Sequence, residues 1–250
     1  MIELNGVTKT FDTVVAIDNI DLVIPGSETT ILLGTSGCGK STILRLIAGL
    51  IEPTAGRVSF DGTPVTSTNS QDLRQRIGFV LQEGGLFPHL TGFQNVALMA
   101  KYLGRPSAEI KSRVHELADM THLPIAALDR YPSQLSGGQK QRLGLMRGLM
   151  LDPDVLLLDE PLGALDPITR AELQQELRDI FDRLNKTVVI VTHDLGEAAY
   201  LGKNIVLLQK GAIVQQGSMR DLLTQPKDNF VSTFVNAQRG PFEALFEISK

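Results

Sequence analysis

Residues 29 to 42, TTILLGTSGCGKST, decide the reading of this chain. TTILL is apolar on both faces, as a strand buried between two layers must be, and the residues after it fit G-x-x-x-x-G-K-[ST] at Gly34, Gly39, Lys40 and Ser41. Glycines at these spacings let backbone amides turn inward around phosphates, Lys40 supplies positive charge to the β and γ groups, and Ser41 offers a hydroxyl to Mg²⁺. Thr42 adds a further phosphate contact, and Cys38 reads as a small loop residue. Beyond the loop, Ile43, Leu44, Ile47 and Leu50 share one face of an expected amphipathic helix. Strand, glycine loop and helix in that order predict a nucleotide-phosphate site.

Two further runs are apolar on both faces, DVLLLDE (154–160) and TVVIVTH (187–193), and read as neighbouring strands of a parallel sheet. Each ends in chemistry. Asp159 is placed to hold Mg²⁺ and Glu160 to polarise a water for attack on the γ-phosphate, while His193 arrives at the same end of its own strand, where ligands gather in open α/β sheets. Between them the spacing predicts a helix over 167–184, with Asp166 as N-cap, Pro167 in the first turn, and Leu173, Leu177, Ile180, Phe181 and Leu184 on one face.

Earlier, VVAIDNIDLVI (14–24) alternates with Ile20, Leu22 and Ile24 on one side, and RVSFDG repeats the pattern at Val58 and Phe60, so antiparallel strands are expected there. NIVLLQKGAIVQQG predicts a hairpin, followed by a short helix from Ser218. The fold expected is α/β, a P-loop NTPase core with a mixed, mostly parallel sheet, an N-terminal antiparallel β-subdomain and an inserted α-helical subdomain. The core should cover 1–85 and 153–235, the helical insert 86–152, and a short tail 236–250.

Inside that insert, QLSGGQKQR (134–142) opens a second helix start, where Ser136 and the amides of Gly137 and Gly138 offer another anion site. The bulk numbers bound what binds there. With 250 residues, 42% hydrophobic, the chain can fill one large interior. A net charge of −4 and a pI near 5.6 disfavour nucleic acid as the partner. One cysteine, a start without basic lead or apolar stretch, and apolar runs no longer than strands lead to the expectation of a cytoplasmic chain whose membrane role, if any, is borrowed from a partner.

Taken together, the motifs resemble those of the nucleotide-binding subunit of an ATP-binding cassette (ABC) transporter over roughly residues 1–235. GTSGCGKST (Gly34, Thr35, Ser36, Gly37, Cys38, Gly39, Lys40, Ser41, Thr42) is similar to the family's Walker A, Gln82 in FVLQE to its Q-loop, and LSGGQ (Leu135, Ser136, Gly137, Gly138, Gln139) to its signature. VLLLDE is similar to Walker B, GALD at 163–166 to the D-loop, and His193 to the switch histidine. The resemblance implies that Phe11 stacks on adenine, that Gln82 joins Ser41 and Asp159 at Mg²⁺ and takes part in catalysis with Glu160 and His193, and that LSGGQ and Asp166 act in trans on ATP held by a second copy. It implies a homodimer on nucleotide binding, integral membrane permease subunits as partners with a solute-binding protein reached indirectly, and a place on the cytoplasmic face of the inner membrane.

The segment 77–104 resembles the importer branch, with Leu86, Phe87, Pro88 and Leu90 as expected contacts for a membrane subunit. EGGLFPHLT, RYPSQLSGGQ and DPITRAELQ look most like subunits serving quaternary-amine osmoprotectant uptake (glycine betaine, choline or carnitine), though polar amino-acid importers share LFPHLT. A soluble ABC ATPase or a P-loop kinase are the competing classes. Two features depart from the pattern: RLGLMRGLM carries glycines where alanine is usual, each expected to loosen its helix by up to about 1 kcal/mol, and with GPFEALFEISK as the tail, regulation through the modules of many osmoprotectant relatives is not expected.

Overall fold

The computed structural model describes residues 1–163 and 165–247, the side chains of Glu83 and of residues 239–247 excepted. Residue 164, inside GALD, and residues 248–250, in the expected tail, lie outside the described residues.

Strands β1 (Ile2–Phe11) and β2 (Val14–Ile24) form an antiparallel ribbon. Ile20, Leu22 and Ile24 are buried as their alternation requires, yet Ile17, of opposite parity, is buried too. The register shifts between Val7 and Lys9, Asn19 sits at a positive φ of 45°, and the extra residue re-phases β2. β3 (Thr29–Gly34) enters the main sheet and α1 (Lys40–Ile47) leaves it. α1 ends earlier than the apolar spacing implies: Ala48 is its C-cap and Gly49 follows at φ 60°, so Leu50 is turned out of the expected face and is 49% exposed.

β4 (Ala55–Phe60) pairs with β1, and β5 (Thr63–Pro64) with β4, completing a sheet of order β2-β1-β4-β5. After α2 (Ser70–Gln75), β6 (Ile77–Val80) joins the main sheet; the apolar-run argument misses it because IGFV has a glycine in its short run. Helices α3 (Gly92–Tyr102), α4 (Ser107–Met120) and α5 (Gly137–Leu149) follow, then β7 (Val155–Asp159), α6 (Pro167–Leu184), β8 (Thr187–Thr192) and α7 (Leu195–Leu201). The chain closes with hairpin β9 (Asn204–Gln209) and β10 (Ala212–Gly217), α8 (Met219–Thr224) and α9 (Asn229–Glu247), which runs through the expected boundary at 235/236.

The main sheet has the order β10-β9-β3-β8-β7-β6, parallel except for β10 at one edge. Its alternate residues divide the core. Leu32, Leu157, Val189 and Val206 face α1 and the antiparallel sheet, whereas Ile31, Leu33, Leu156, Leu158 and Ile190 face the helical side. That two-sided burial is why the three decisive runs carry no polar face. α6 follows its predicted course: the Asp166 carboxylate accepts from the amides of Ile168 and Thr169, Leu173, Leu177, Ile180 and Phe181 are buried, and Asn185 ends the helix at φ 49°.

Candidate functional site

Two glycines shape the loop after β3. Gly34 and Gly39 sit at φ 151° and 106°, and a Cβ would lie 2.4 Å from the Leu208 carbonyl oxygen at the first and 2.7 Å from that of Ala16 at the second. No side chain fits either place. Lys40 is buried, and its Nζ donates to the carbonyl oxygens of Gly34 (2.8 Å) and Thr35 (2.9 Å), which fixes a cation within the loop. Cys38 is buried beside it, and burial pushes its thiol up against the opposing influence of Lys40, so it is a poor nucleophile.

β8 lies between β3 and β7, so the three C-terminal ends are adjacent, with Leu33 opposite Thr192 and Asp159 opposite Val191. Ser41 Oγ donates to Asp159 Oδ1 at 2.9 Å, linking the loop to β7. Burial holds the Asp159 carboxyl above the usual carboxylate range; the Ser41 hydrogen bond opposes this and the neighbouring charge of Glu160 adds to it. Glu160 adopts φ 46°, its amide donates to the Val191 carbonyl oxygen, and its Oε1 lies 3.5 Å from His193 Nδ1. His193 is 61% exposed, so its ring is placed by its backbone more than by packing. That backbone is tethered by residues the sequence argument does not single out. Thr192 Oγ1 donates to the buried Glu197 at 2.6 Å, and Asp194 caps α7.

The other expected residues are not drawn into this cluster. Phe11 ends β1, 42% exposed, with Lys9 Nζ 5.0 Å from its ring centroid. Gln82 is exposed at the start of the 3-10 turn Gln82–Gly85, and its side chain makes no hydrogen bond to Ser41 or Asp159. Leu135 is buried in the helical core, so its side chain anchors the segment to its own fold. Ser136 and Gln139 form a reciprocal capping box at the start of α5, which leaves the amides of Gly137 and Gly138 outside the box. Among the described residues no hydrogen bond or ion pair joins 135–139 to 34–42. Arg142 makes a bidentate pair with Glu176 at 2.9 and 2.6 Å, tying α5 to α6.

A family model described as ABC transporter matches residues 17–163, more than half of the chain. The chain belongs to the ABC transporter family. It is 45% identical over 224 residues to the glycine betaine/carnitine/choline transport ATP-binding protein OpuCA of Bacillus subtilis (strain 168), covering 90% of this chain and 59% of that protein. It is 47% identical over 230 residues to the sulfate/thiosulfate import ATP-binding protein CysA of Mycobacterium tuberculosis (strain ATCC 25618 / H37Rv), covering 92% and 65%. A solved dimeric ATP-binding cassette in a post-hydrolysis state, bound to ADP and Pi, superposes with a TM-score of 0.80 at 35% identity, over 88% of this chain and 99% of that one. This ABC chain thus spans less than two thirds of the length of either relative. Among the described residues no helix is long and apolar enough to cross a membrane.

Within the ABC cassette the glycines of α5 have a use that helix propensity hides. A Cβ on Gly144 would lie 2.6 Å from Gly84 Cα, and one on Gly78 would lie 2.3 Å from the Gly148 carbonyl oxygen. Arg147 donates from Nη1 to the Gly85 carbonyl oxygen and from Nη2 to that of Gly84, both at 2.9 Å. The helix that begins at LSGGQ is therefore packed backbone to backbone against the turn that begins at Gln82. Nearby, Leu50, Ile77, Phe79, Met99, Tyr102 and Leu103 line an apolar groove of about 360 Å³, with Tyr102 73% exposed. Of the contacts expected at the surface, Leu86 and Leu90 are half-buried instead, and Phe87 is exposed beneath the Arg147 guanidinium.

Proposed function

We propose that the chain is the ATP-hydrolysing subunit of an ABC importer, working as a pair of copies at the cytoplasmic face of a membrane. The observation that supports this most is the approach of Glu160 to His193 beside the Ser41–Asp159 hydrogen bond, all at the C-terminal edge of one parallel sheet. Residues 34–42 cradle the phosphates, with Lys40 as their cation and Phe11 as the exposed face for the base. Mg²⁺ fits Ser41 and Asp159: both offer oxygen, the Asp159 charge is disfavoured by burial, and an ion that keeps water and phosphate oxygens needs few protein ligands. Its contribution is to neutralise phosphate charge. Glu160 then accepts a proton from the attacking water, and His193 steadies Glu160 and the γ-phosphate. Gln82 has to move to reach this cluster.

The amides of Gly137 and Gly138, the Ser136 hydroxyl and Asp166 complete the site of a second copy. The apolar groove around Met99 and Tyr102 receives a helix of a permease subunit. For the solute, we propose a quaternary-amine osmoprotectant, on the similarity to OpuCA together with EGGLFPHLT and DPITRAELQ. A second reading, sulfate or thiosulfate, follows from the 47% identity to CysA. Copurified solute-binding and membrane subunits, tested against choline and sulfate, separate the two.

Glu160→Gln tests the core of the proposal. This variant should bind MgATP as the parent does, lose turnover by at least about 100-fold, and elute as an ATP-dependent dimer on size exclusion. Turnover at the parent rate would remove Glu160 from its role. Hydrolysis that strictly requires an added metabolite as phosphate acceptor would favour a kinase.

A further inference from the structure

We propose that Gln238 is a positioning residue for His193, through which the C-terminal helix sets the geometry of hydrolysis. This rests on the function proposed above. On α9, Val231, Phe234 and Val235 are buried in the main core at spacings i, i+3 and i+4. The next position on that stripe, i+7, is Gln238. Here the stripe leaves the core beside the turn between β8 and α7, and Gln238 is exposed there, with its side chain on that turn.

Its amide grips that turn twice. Nε2 donates to the His193 carbonyl oxygen at 2.8 Å, and Oε1 accepts from the Leu195 amide at 2.7 Å. Leu195 opens α7, so its amide is one of the donors a helix start leaves without an internal partner; the Asp194 cap takes the amide of Glu197 instead. A carboxamide supplies donor and acceptor together at its tip. Because the imidazole of His193 is mostly exposed, its distance to Glu160 depends on the backbone that Gln238 holds. A displacement on the order of 1 Å at such a group can cost about 100-fold in rate.

Gln238→Met keeps the length and removes both bonds; Gln238→Glu keeps the acceptor for Leu195 and loses the donor to His193. In the full chain, Gln238→Met should speed hydrogen exchange at the Leu195 amide by about tenfold, and Gln238→Glu by less. MgATP turnover should fall about three- to tenfold in kcat for both, with KM unchanged within about twofold. In a His193→Ala background, Gln238→Met should add no further loss. Unchanged Leu195 exchange in Gln238→Met would overturn the proposal, as would a kcat loss equal with and without His193. If the parent chain turns over no MgATP, the proposed function fails, while the exchange result still decides whether Gln238 holds the turn.

Discussion

Two glutamates, Glu160 after β7 and Glu197 in α7, carry information that their identity alone does not. Glu160 holds a left-handed backbone, a conformation that costs a non-glycine residue roughly 1–3 kcal/mol and that persists here with its amide bonded to Val191. The bend lifts its carboxylate off the line of β7 and toward His193. Glu197 is a buried carboxylate beside the same histidine, and burial holds its pKa above the ordinary 4.5, with Asp194 adding to the rise and Thr192, Arg170 and His193 opposing it. The folded chain therefore binds this proton more readily than the unfolded chain, so this group lowers stability as the pH rises above 4.5. Glu197→Gln keeps an acceptor for Thr192 and removes the charge. Urea denaturation across the acid-to-neutral range should give the variant a flatter profile and greater stability at neutral pH; equal slopes would place the burial cost elsewhere. Nothing in LGEA marks Glu197 in the sequence, because its burial follows from how α7 lies on the sheet.

At the scale of elements, α5 and the turn Gln82–Gly85 are in close backbone contact. Helix propensity alone favours alanine at Gly144 by up to about 1 kcal/mol, but an added Cβ there meets the Gly84 backbone, which cannot swing aside as a side chain can. Gly144→Ala should therefore be net destabilised by about 1 kcal/mol, with a lower Tm in calorimetry. A rise in Tm would mean that the turn yields without cost. Arg147 adds to the same contact by bonding the carbonyl oxygens of both Gly84 and Gly85. The sequence shows these glycines only as departures from an alanine-rich helix; the reason for them is a neighbour about sixty residues away.

For the whole molecule, the sheet sets the edge that carries the proposed site and the helices set the outer surfaces. The exposed part of the apolar groove carries little folding energy, so Met99→Glu combined with Tyr102→Glu should leave stability within about 1 kcal/mol and basal MgATP turnover unchanged. Copurification with a membrane partner should be lost; its retention would move the docking surface away from this groove. The sequence by itself determined the α/β class, the glycine pattern of the loop after β3 and the identity of the residues at the strand ends. Each of those depends on local pattern: two-sided apolar runs, glycine spacing and polar residues at their termini. Only the tertiary structure decided the burial of Glu197, the close contact at Gly144 and the grip of Gln238 on the His193 turn. These depend on which surfaces meet across long sequence separations, and no window of the chain contains both partners.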